Sequence, residues 1–534
     1  MADRWNERFR DGSAEFCGLD DMHKASLMGL GKDDIYLCLF EGRPIGYGGM
    51  AGGLVQAGPR VGKGRDCGIV NQCSGVLTGN LVALDVKGEG TFVAQDQTPD
   101  GKYLIAWNPL RFHGLGTKSL NPTAHLTRNN PNLIADIKVT VAQAIPKSGS
   151  ASGEYFEERA REFAAGFMAC LAERDEVVML PSLHATLNNF IAANDAWFDF
   201  AYLMHTSRFP HVRRLEAEIA KARNDTSGGF KGILGELLKA FSCLSDPTLL
   251  ASVSPPFGFT FADLCREDRR YHVALMPPAE AIQIWAPVIK MMFASAMVFK
   301  SRATYAPHQT WWIDEAPLLK GFELLSDMYT YGAGLGIRPV TIIQAHDQLK
   351  KIASDAETII PASCGFRLYF GIREYGSAKM LSDTMGDETL HYDDTFQQER
   401  SRHARQQALR EMLNGGDPIE AGLRAKHHTK QQAHRVSKSR RLMTPDEIIN
   451  MADNKALLFA DGLPGPAMVT RVPYWDLRWM AGRYHPNPYY PPSERVRCKG
   501  LIGHHWRNVV ERPVEPEFSH LPQYRNGIRS RIEK

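Results

Sequence analysis

The sequence lacks any cysteine pair at metal-binding spacing, and no CxxC motif occurs in its 534 residues. An odd number of scattered cysteines argues against both a disulfide framework and a zinc site, and it is typical of a protein in a reducing cytosol. The adjacent His427 and His428 lie in a basic stretch without Cys or His partners, so we interpret them as solvated residues rather than metal ligands. The nine cysteines are Cys17, Cys38, Cys67, Cys73, Cys170, Cys243, Cys265, Cys364 and Cys498.

The sequence also lacks a signal peptide, because residues 1–16 are charged. No uninterrupted apolar run reaches the roughly 20 residues that a membrane-spanning helix needs. The longest apolar stretch, Ile282 to Phe299, is interrupted by Gln283 and Lys290 and contains Pro287. We therefore expect a packed helix of a soluble domain there, and a chain that lies in the cytoplasm.

A strong excess of one charge is absent as well. Lys and Arg number 63 and Asp and Glu number 60, which gives a net charge of +3. Any binding of nucleic acid must therefore depend on local basic groups rather than on the charge of the whole chain. The 43% apolar content and the length are typical of a globular protein of two to four domains.

Short apolar runs alternate with helix-sized segments in two parts of the chain, a pattern that predicts an α/β fold with a parallel or mixed sheet. Between these parts, residues 110–264 have helical periodicity and few strand patterns, which predicts an inserted all-α domain. The predicted division is residues 1–109 and 265–484 for a discontinuous nucleotide-binding domain, 110–264 for the all-α domain, 399–441 for a mobile basic insertion and 485–534 for a loosely packed Pro/Arg-rich tail.

A glycine-rich segment follows one predicted strand and precedes a predicted helix between Arg65 and Leu77, the context that a phosphate-binding P-loop requires. Two positions depart from the usual motif. Ala57 replaces the first glycine, and Gly64 replaces the hydroxyl residue that usually binds Mg²⁺. The alternative is a glycine-rich turn with a surface lysine. The predicted nucleotide-binding residues are Ala57, Gly58, Pro59, Arg60, Val61, Gly62, Lys63, Gly64 and Arg65.

Two adjacent carboxylates, Asp314 and Glu315, follow directly after a strand-like apolar run. An ATPase needs one acid for the Mg²⁺ shell, here Asp314, and one general base, here Glu315. The pair would also suit the start of a helix, where acids favour the dipole. Gln344 ends another strand and is a candidate for sensing the γ-phosphate, or a satisfied strand-end amide. Asp85, Lys87 and Glu89 either line the same site or are surface charges.

Taken together, the segments AGPRVGKG, LVALDVKGE, YLIAWNPL, WWIDEAPLL, YGAGLGIRPVTIIQAHDQLKKI and LMTPDEIINMADNKALLFADGLP resemble the TraG/TraD/VirD-type coupling proteins of type IV secretion in order and rough spacing. The resemblance covers roughly residues 54–475. It implies a RecA-like P-loop ATPase that uses ATP and Mg²⁺ and assembles as a hexamer. It also implies that an arginine of the neighbouring subunit completes the site, for which Arg367 and Arg373 are candidates.

The resemblance further implies that the protein delivers single-stranded DNA with its relaxase, or effector proteins, to a secretion channel at the cytoplasmic face of the bacterial inner membrane. The family usually begins with two transmembrane helices, which this chain lacks. We therefore expect an excerpt or a variant with a separate membrane-anchor partner. Two alternatives stay open, a docking platform for secreted proteins with weak ATPase activity and a HerA/FtsK-like DNA translocase.

A basic group of residues between positions 400 and 441 is the candidate for contact with the DNA backbone, and the alternative is a solvated surface loop. Its members are Arg400, Arg402, Arg405, Lys426, Lys430, Arg435, Lys438, Arg440 and Arg441.

Overall fold

The computed structural model describes residues 11–96, 101–147, 151–223, 228–393, 395–413 and 435–533. The chain forms two compact units, each taken by itself below. The larger unit comprises residues 22–371, 453–462 and 468–534, and the smaller comprises residues up to 21, 372–452 and 463–467. The predicted boundaries at 110–264 and 485–534 do not separate these units, and the predicted domain division stays a prediction.

Eleven strands form the central sheet of the larger unit, in the order β2-β1-β13-β12-β9-β3-β8-β7-β4-β6-β5. The strands of the described residues are β1 Ile35–Phe40, β2 Arg43–Tyr47, β3 Gly52–Ala57, β4 Asn80–Leu84, β5 Tyr103–Trp107, β6 Tyr271–Leu275, β7 Gln309–Ile313, β8 Ile337–Ile343, β9 Cys364–Phe370, β10 Asp387–Asp393, β11 Arg435–Arg441, β12 Lys455–Ala460, β13 Ala467–Thr470, β14 Arg495–Lys499, β15 His504–Pro513 and β16 Ile528–Ile532.

The stretch of the sheet from β9 to β5 is parallel throughout. Strands β3, β4, β6, β7 and β8 are buried at every position, as expected for a parallel sheet that is covered on both faces. Strand β3 lies between β8 and β9, and β7 lies next to β8. The segments that follow β3, β7 and β8 therefore meet at one edge of the sheet, where ligands of open α/β sheets bind. The predicted α/β class with a parallel or mixed sheet is confirmed.

Helices account for most of the chain between β5 and β6, where no strand occurs in the described residues. The α-helices are α1 Leu19–Lys24, α2 Ile69–Cys73, α3 Glu89–Val93, α4 Leu133–Ala144, α5 Ala151–Asp175, α6 Leu180–Ala192, α7 Asp195–His205, α8 Pro210–Ala222, α9 Gly229–Phe241, α10 Pro247–Ser252, α11 Ile282–Arg302, α12 Glu323–Leu335, α13 Ala356–Ser363, α14 Tyr375–Met385, α15 Thr395–Leu413 and α16 Pro445–Ile449.

Helix α11 is the one helix of the described residues with the length and apolar composition to cross a bilayer, and 72% of that apolar window is buried inside the fold. Its side chains Trp285 and Phe293 are each at most 2% exposed and pack against Trp107 and Trp311. This packing is that of a core helix, in agreement with the interpretation of the sequence.

The C-terminal tail is more ordered than the sequence predicts. Residues 495–532 form a three-stranded antiparallel sheet, β14-β15-β16, instead of a loosely packed segment. The physical reason is the alternation in β14, where Val496 and Cys498 are buried between exposed arginines. Both side chains join a hydrophobic cluster with Ile69 of α2 and Tyr484.

The expectation of a mobile insertion at residues 399–441 is also corrected in part. Residues 414–434 lie outside the described residues, but Arg435–Arg441 is a strand rather than part of a mobile insertion, because it pairs with β10 in the smaller unit. Opposite charges face each other across this ladder, at Glu388 with Arg440 and at Asp387 with Arg441.

The helix predicted between Arg65 and Leu77 is shorter than expected and ends at Cys73.

Candidate functional site

The segment after β3 forms a tight loop that leads into a helical turn. Arg60 and Gly62 have left-handed backbone conformations, with φ of 60° and 96°, and a π-helical turn, Gly64–Gly68, continues into α2. A Cβ atom on Gly58 would lie 2.4 Å from the carbonyl oxygen of Gly371, so the backbone comes closer here than a side chain allows. Such a loop at a helix start presents backbone N–H groups to an anion.

A buried ion pair holds this loop in place. Nη1 of Arg471 lies 2.7 Å from Oδ2 of Asp66 and donates to the carbonyl oxygen of Val61 at 2.7 Å. The side chains of Arg471 and Asp66 are 3% and 2% exposed. The guanidinium also stacks on Phe370 of β9, at 4.0 Å from its ring centroid. Since both charges are out of water and paired, the loop is tied to β9 and to the segment after β13.

Three side chains of the predicted site meet at the edge of the sheet. Nζ of Lys63 lies 3.0 Å from Oε1 of Glu315. The amide nitrogen of Gln344 donates to both carboxylate oxygens of Glu315, at 2.9 and 3.0 Å. These residues follow β3, β7 and β8, so the parallel sheet brings them together across hundreds of residues of sequence. Glu315 has a left-handed backbone, with φ of 54°, which turns its side chain at the end of β7.

A second carboxylate lies beside this cluster. Burial raises the pKa of Asp314 to about 6; the negative charges of Glu315 and Asp85 add to this and the charge of Lys63 opposes it. Asp85 itself accepts hydrogen bonds from the backbone N–H and the hydroxyl of Thr91, at 2.7 and 2.8 Å, and burial raises its pKa. An enclosed group of carboxylates with a raised pKa is a place where a cation is favourable.

A cavity of about 1190 Å³ joins these parts. Its walls include Lys63, Asp314, Glu315 and Gln344. Residues of the C-terminal segment between Tyr474 and Trp506 line the cavity as well. Asp85, Lys87 and Glu89 line it too, which favours the site interpretation of these three residues over the surface one.

The fit of Mg²⁺ depends on the donors that the chain offers. No cluster of three or more His, Cys, Asp or Glu side chains that could hold a metal occurs within the described residues. Mg²⁺ commonly keeps several waters and takes one or two carboxylates together with substrate phosphates, so Asp314 beside a phosphate loop suits it. Nothing lies within 4 Å of the position of a Cβ on Gly64, which leaves space for a water where other P-loops have a hydroxyl.

The two candidates for the trans arginine lie outside the cavity lining. Arg367, on β9, stacks over Phe459 at 5.1 Å from the ring centroid. Arg373 is exposed and belongs to the smaller unit. Their role toward a neighbouring subunit stays a prediction, as do the roles of the other predicted site residues.

Three residues at the site are not marked by any pattern in the sequence. Arg471 and Asp66 are 405 residues apart, and no motif links them. Gln72 also lines the cavity from α2. A buried arginine and a buried acid are recognisable only once the fold places them side by side.

The fold has solved relatives. The bacterial conjugative coupling protein TrwBdeltaN70, in its unbound monoclinic form, matches with a TM-score of 0.56 and 14% identity, over 87% of this chain and 93% of that one. The plasmid coupling protein TrwB in complex with ADP and Mg²⁺ matches with a TM-score of 0.56 and 15% identity, over 86% and 93%. The predicted RecA-like P-loop NTPase fold with an all-α domain is confirmed.

Sequence relatives agree. Protein VirD4 of Agrobacterium fabrum strain C58 is 24% identical over 345 residues, which is 63% of this chain and 50% of that protein. The chain thus spans about half the length of the curated relatives that it matches. The profile of one protein family matches residues 31–489, most of the chain. The chain belongs to the family described as Type IV secretory system Conjugative DNA transfer.

Proposed function

We propose that the chain is the ATP-hydrolysing part of a coupling protein that delivers single-stranded DNA with its relaxase, or effector proteins, to a type IV secretion channel. The observation that carries the proposal is the contact among Lys63, Glu315 and Gln344, with distances of 2.9–3.0 Å at the end of a phosphate loop. A lysine, a carboxylate and an amide in this arrangement are the parts that P-loop motors use for phosphoryl transfer to water.

The chemistry follows from these contacts. The ammonium group of Lys63 now neutralises Glu315, and a triphosphate in the loop would attract it to the β- and γ-phosphates. Glu315 would then be free to accept a proton from a water held by the amide of Gln344. Asp314 would bind the water shell of Mg²⁺, which neutralises phosphate charge when bound. TrwB has been solved with ADP and Mg²⁺ and with a non-hydrolysable ATP analogue, which supports ATP and Mg²⁺ as the ligands.

We place this activity in a homo-oligomer, a hexamer when assembled, at the cytoplasmic face of the inner membrane with channel proteins or a membrane-anchor protein as partners. Arg367 or Arg373 would complete the site of a neighbouring subunit. The basic group between residues 400 and 441 would contact the DNA backbone, and two of its members, Arg440 and Arg441, also pair with Glu388 and Asp383 at 3.2 and 2.9 Å.

One experiment separates the proposed motor from the docking platform, namely ATP turnover by the purified chain with and without single-stranded DNA. The proposed motor predicts that single-stranded DNA of any sequence raises turnover and that added salt removes the effect, since backbone contacts are electrostatic. Turnover that DNA leaves unchanged, together with binding of a secretion signal peptide, would instead support the docking platform. Absence of turnover under all conditions would contradict the motor.

A further inference from the structure

The hairpin of strands β14 and β15, residues 495–513, ends in an exposed apolar tip. Leu501 and Ile502 are 84% and 96% exposed. The backbone N–H of Gly500 donates to the carbonyl oxygen of Gly503 at 3.0 Å, and Gly503 has a left-handed backbone with φ of 68°. The turn is therefore closed, and it holds two adjacent aliphatic side chains almost entirely in water, which is unfavourable until a partner covers them.

The base of this hairpin is fixed on the rest of the larger unit. Val496 and Cys498 of β14 are buried in one hydrophobic cluster with Ile69 of α2. The hydroxyl of Tyr484 donates to the carbonyl oxygen of Arg497 at 2.5 Å. Because the base is anchored in this way, the exposure of the tip is a property of the fold rather than of a loose chain end.

Basic side chains follow directly behind the tip. Residues 495–513 contain five Lys or Arg and one acidic residue, whereas the whole chain is close to neutral. Across the ladder, Lys499 lies opposite His504 and Arg497 lies opposite Trp506. Since side chains alternate along a strand, these four lie on the face of the hairpin opposite to the buried side of β14.

Most of this positive charge is not neutralised within the fold. His504 forms an ion pair with Asp476. In the described part of the chain, no carboxylate pairs with Arg497, Lys499 or Arg507. A cationic surface that the chain itself leaves unpaired attracts an anionic surface.

The spacing of the apolar and basic side chains matches that of a lipid interface. Lys499 and Arg497 lie two and four positions before Leu501, so at roughly 3.4 Å per residue they lie at most about 7 and 14 Å behind the tip. The headgroup layer of a bilayer is about 5–8 Å thick, and charges interact over a Debye length of about 10 Å. When the tip reaches the acyl chains, the flexible side chains of both cations are therefore within range of the lipid phosphates.

We propose that this hairpin is a membrane-docking element. It inserts Leu501 and Ile502 at the boundary between the headgroups and the acyl chains of an anionic phospholipid bilayer, while Arg497 and Lys499 contact the lipid phosphates. Nucleic acid would account for the cations but not for the two aliphatic side chains, and a second copy of the chain would account for the aliphatic pair alone.

The hairpin lies beyond residue 489, where the match to the family ends, so the family likeness implies no role for it. The inference goes beyond the proposed function, because docking on lipid requires no nucleotide. The two can therefore fail independently.

The test is flotation of the full chain with vesicles of phosphatidylethanolamine and phosphatidylglycerol, compared with vesicles of phosphatidylcholine alone. The unaltered chain should bind the anionic vesicles more tightly than the neutral ones, and added salt should weaken this binding, since the attraction to headgroups is screened. The double variant Leu501→Ser/Ile502→Ser should bind the anionic vesicles at least about ten-fold more weakly, because two side chains no longer leave water.

A second variant tests the charge separately. Lys499→Gln should bind the anionic vesicles about five-fold more weakly and should bind the neutral vesicles as the unaltered chain does, because it removes one cation near the lipid surface. Equal loss on both kinds of vesicle would contradict the electrostatic contact. Lys499 does not line the nucleotide cavity, so this variant changes the hairpin alone.

The matched control is Tyr305→Ser. Tyr305 is 90% exposed and lies between α11 and β7, outside the hairpin. This variant also removes a large exposed apolar side chain, and its binding to anionic vesicles should stay within about two-fold of that of the unaltered chain. The double variant should also keep the ATP turnover of the unaltered chain without vesicles, because Leu501 and Ile502 do not line the cavity.

The outcomes separate this inference from the proposed function. If the unaltered chain hydrolyses ATP but does not float with anionic vesicles, the docking element is overturned and the proposed function stands. If it floats but shows no ATP turnover under any condition, the proposed function alone fails.

Two further results would overturn the docking element. One is a double variant that floats as well as the unaltered chain, since the lipid contact would then lie elsewhere. The other is a double variant with unchanged vesicle binding that loses retention of single-stranded DNA or elutes as a smaller species on size exclusion. The tip would in that case contact nucleic acid or a second copy of the chain.

Discussion

At the scale of single residues, the ion pair between Asp66 and Arg471 decides whether the phosphate loop keeps its shape. Removing one member of a buried pair leaves an uncompensated charge, which is far more unfavourable than losing a surface contact. Arg65 also contacts Asp66, but its side chain is 43% exposed. The guanidinium of Arg471 is the partner that is removed from water together with the acid.

We expect Arg471→Leu to lower the free energy of unfolding by about 3 kcal/mol and to weaken ATP binding, because Asp66 and the carbonyl of Val61 both lose their partner. Denaturation with urea measures the first effect and calorimetric titration the second. The control is Arg266→Leu, which breaks an exposed pair with Asp268 and should leave the free energy of unfolding nearly unchanged, because surface ion pairs contribute little. Equal losses in the two variants would show that the Arg471 pair has no special role.

Two glycines of the loop give a second prediction. A Cβ on Gly58 would meet the Gly371 carbonyl at 2.4 Å, whereas one on Gly64 meets nothing within 4 Å. Gly58→Ala should therefore weaken nucleotide binding at least about ten-fold, since the loop backbone must shift, and Gly64→Ala, which fills open space without a clash, should weaken it much less. Calorimetric titration with ADP and Mg²⁺ checks both, and a tolerated Gly58→Ala would contradict the geometry of the loop.

Much of the site at this scale could be predicted from the sequence, because Asp314, Glu315 and Gln344 follow recognisable apolar runs and Lys63 lies in a glycine-rich segment between a predicted strand and a predicted helix. The strands before them are parallel, so the residues that follow these strands lie at the same edge of the sheet. Gln72 and Arg471 could not be predicted. Arg471 matters because the fold places it beside Asp66, and Gln72 lines the cavity because α2 lies there; no local sequence pattern marks either relation.

At the scale of elements, strand β6 has an unusual centre. His272 is fully buried there, neither ring nitrogen has a hydrogen-bond partner, and burial lowers its pKa to about 3, with the charge of Lys102 as a smaller cause. The folded state holds this ring neutral down to that pH, whereas the unfolded chain takes up a proton below about 6.5. His272 therefore does not lower the free energy of unfolding above pH 6.5, and it lowers it progressively as the pH falls from 6.5 toward 3.

We expect this single histidine to lower the free energy of unfolding by about 2–3 kcal/mol between pH 6.5 and pH 4.5, since each pH step below the unfolded pKa favours the protonated, unfolded chain. Urea denaturation over that pH range measures the slope. The variant His272→Leu should have a smaller slope in the same window. An unchanged slope would mean that His272 is protonated within the fold.

Most elements of the central sheet could be predicted because buried parallel strands are short, nearly continuous apolar runs, as in Gln309–Ile313. The strands β10 and β11 could not. Their sequences are rich in charged residues and lack an apolar run. The ion pair between Glu388 and Arg440 across the ladder favours their pairing. The C-terminal sheet was missed for a similar reason, since its exposed arginines conceal a buried Val496.

At the scale of the whole molecule, the proposed ring makes each nucleotide site depend on a neighbouring subunit. Mixing the unaltered chain with an inactive Glu315→Gln chain should then reduce ATP turnover more steeply than in proportion to the inactive fraction, because one inactive subunit disturbs its neighbours. Turnover of premixed chains over a series of ratios gives the curve. A strictly proportional decrease would indicate independent sites and contradict the ring.

The most direct test of the central claim, that Lys63, Glu315 and Gln344 form one ATP-hydrolysing site, is to measure turnover and binding together in the Glu315→Gln variant. We expect the variant to bind ATP and Mg²⁺ with an affinity similar to that of the unaltered chain, and its turnover to fall at least about 100-fold, because the general base is lost while the phosphate loop remains. Turnover equal to that of the unaltered chain would show that Glu315 is not the general base and that these residues do not form the hydrolysing site.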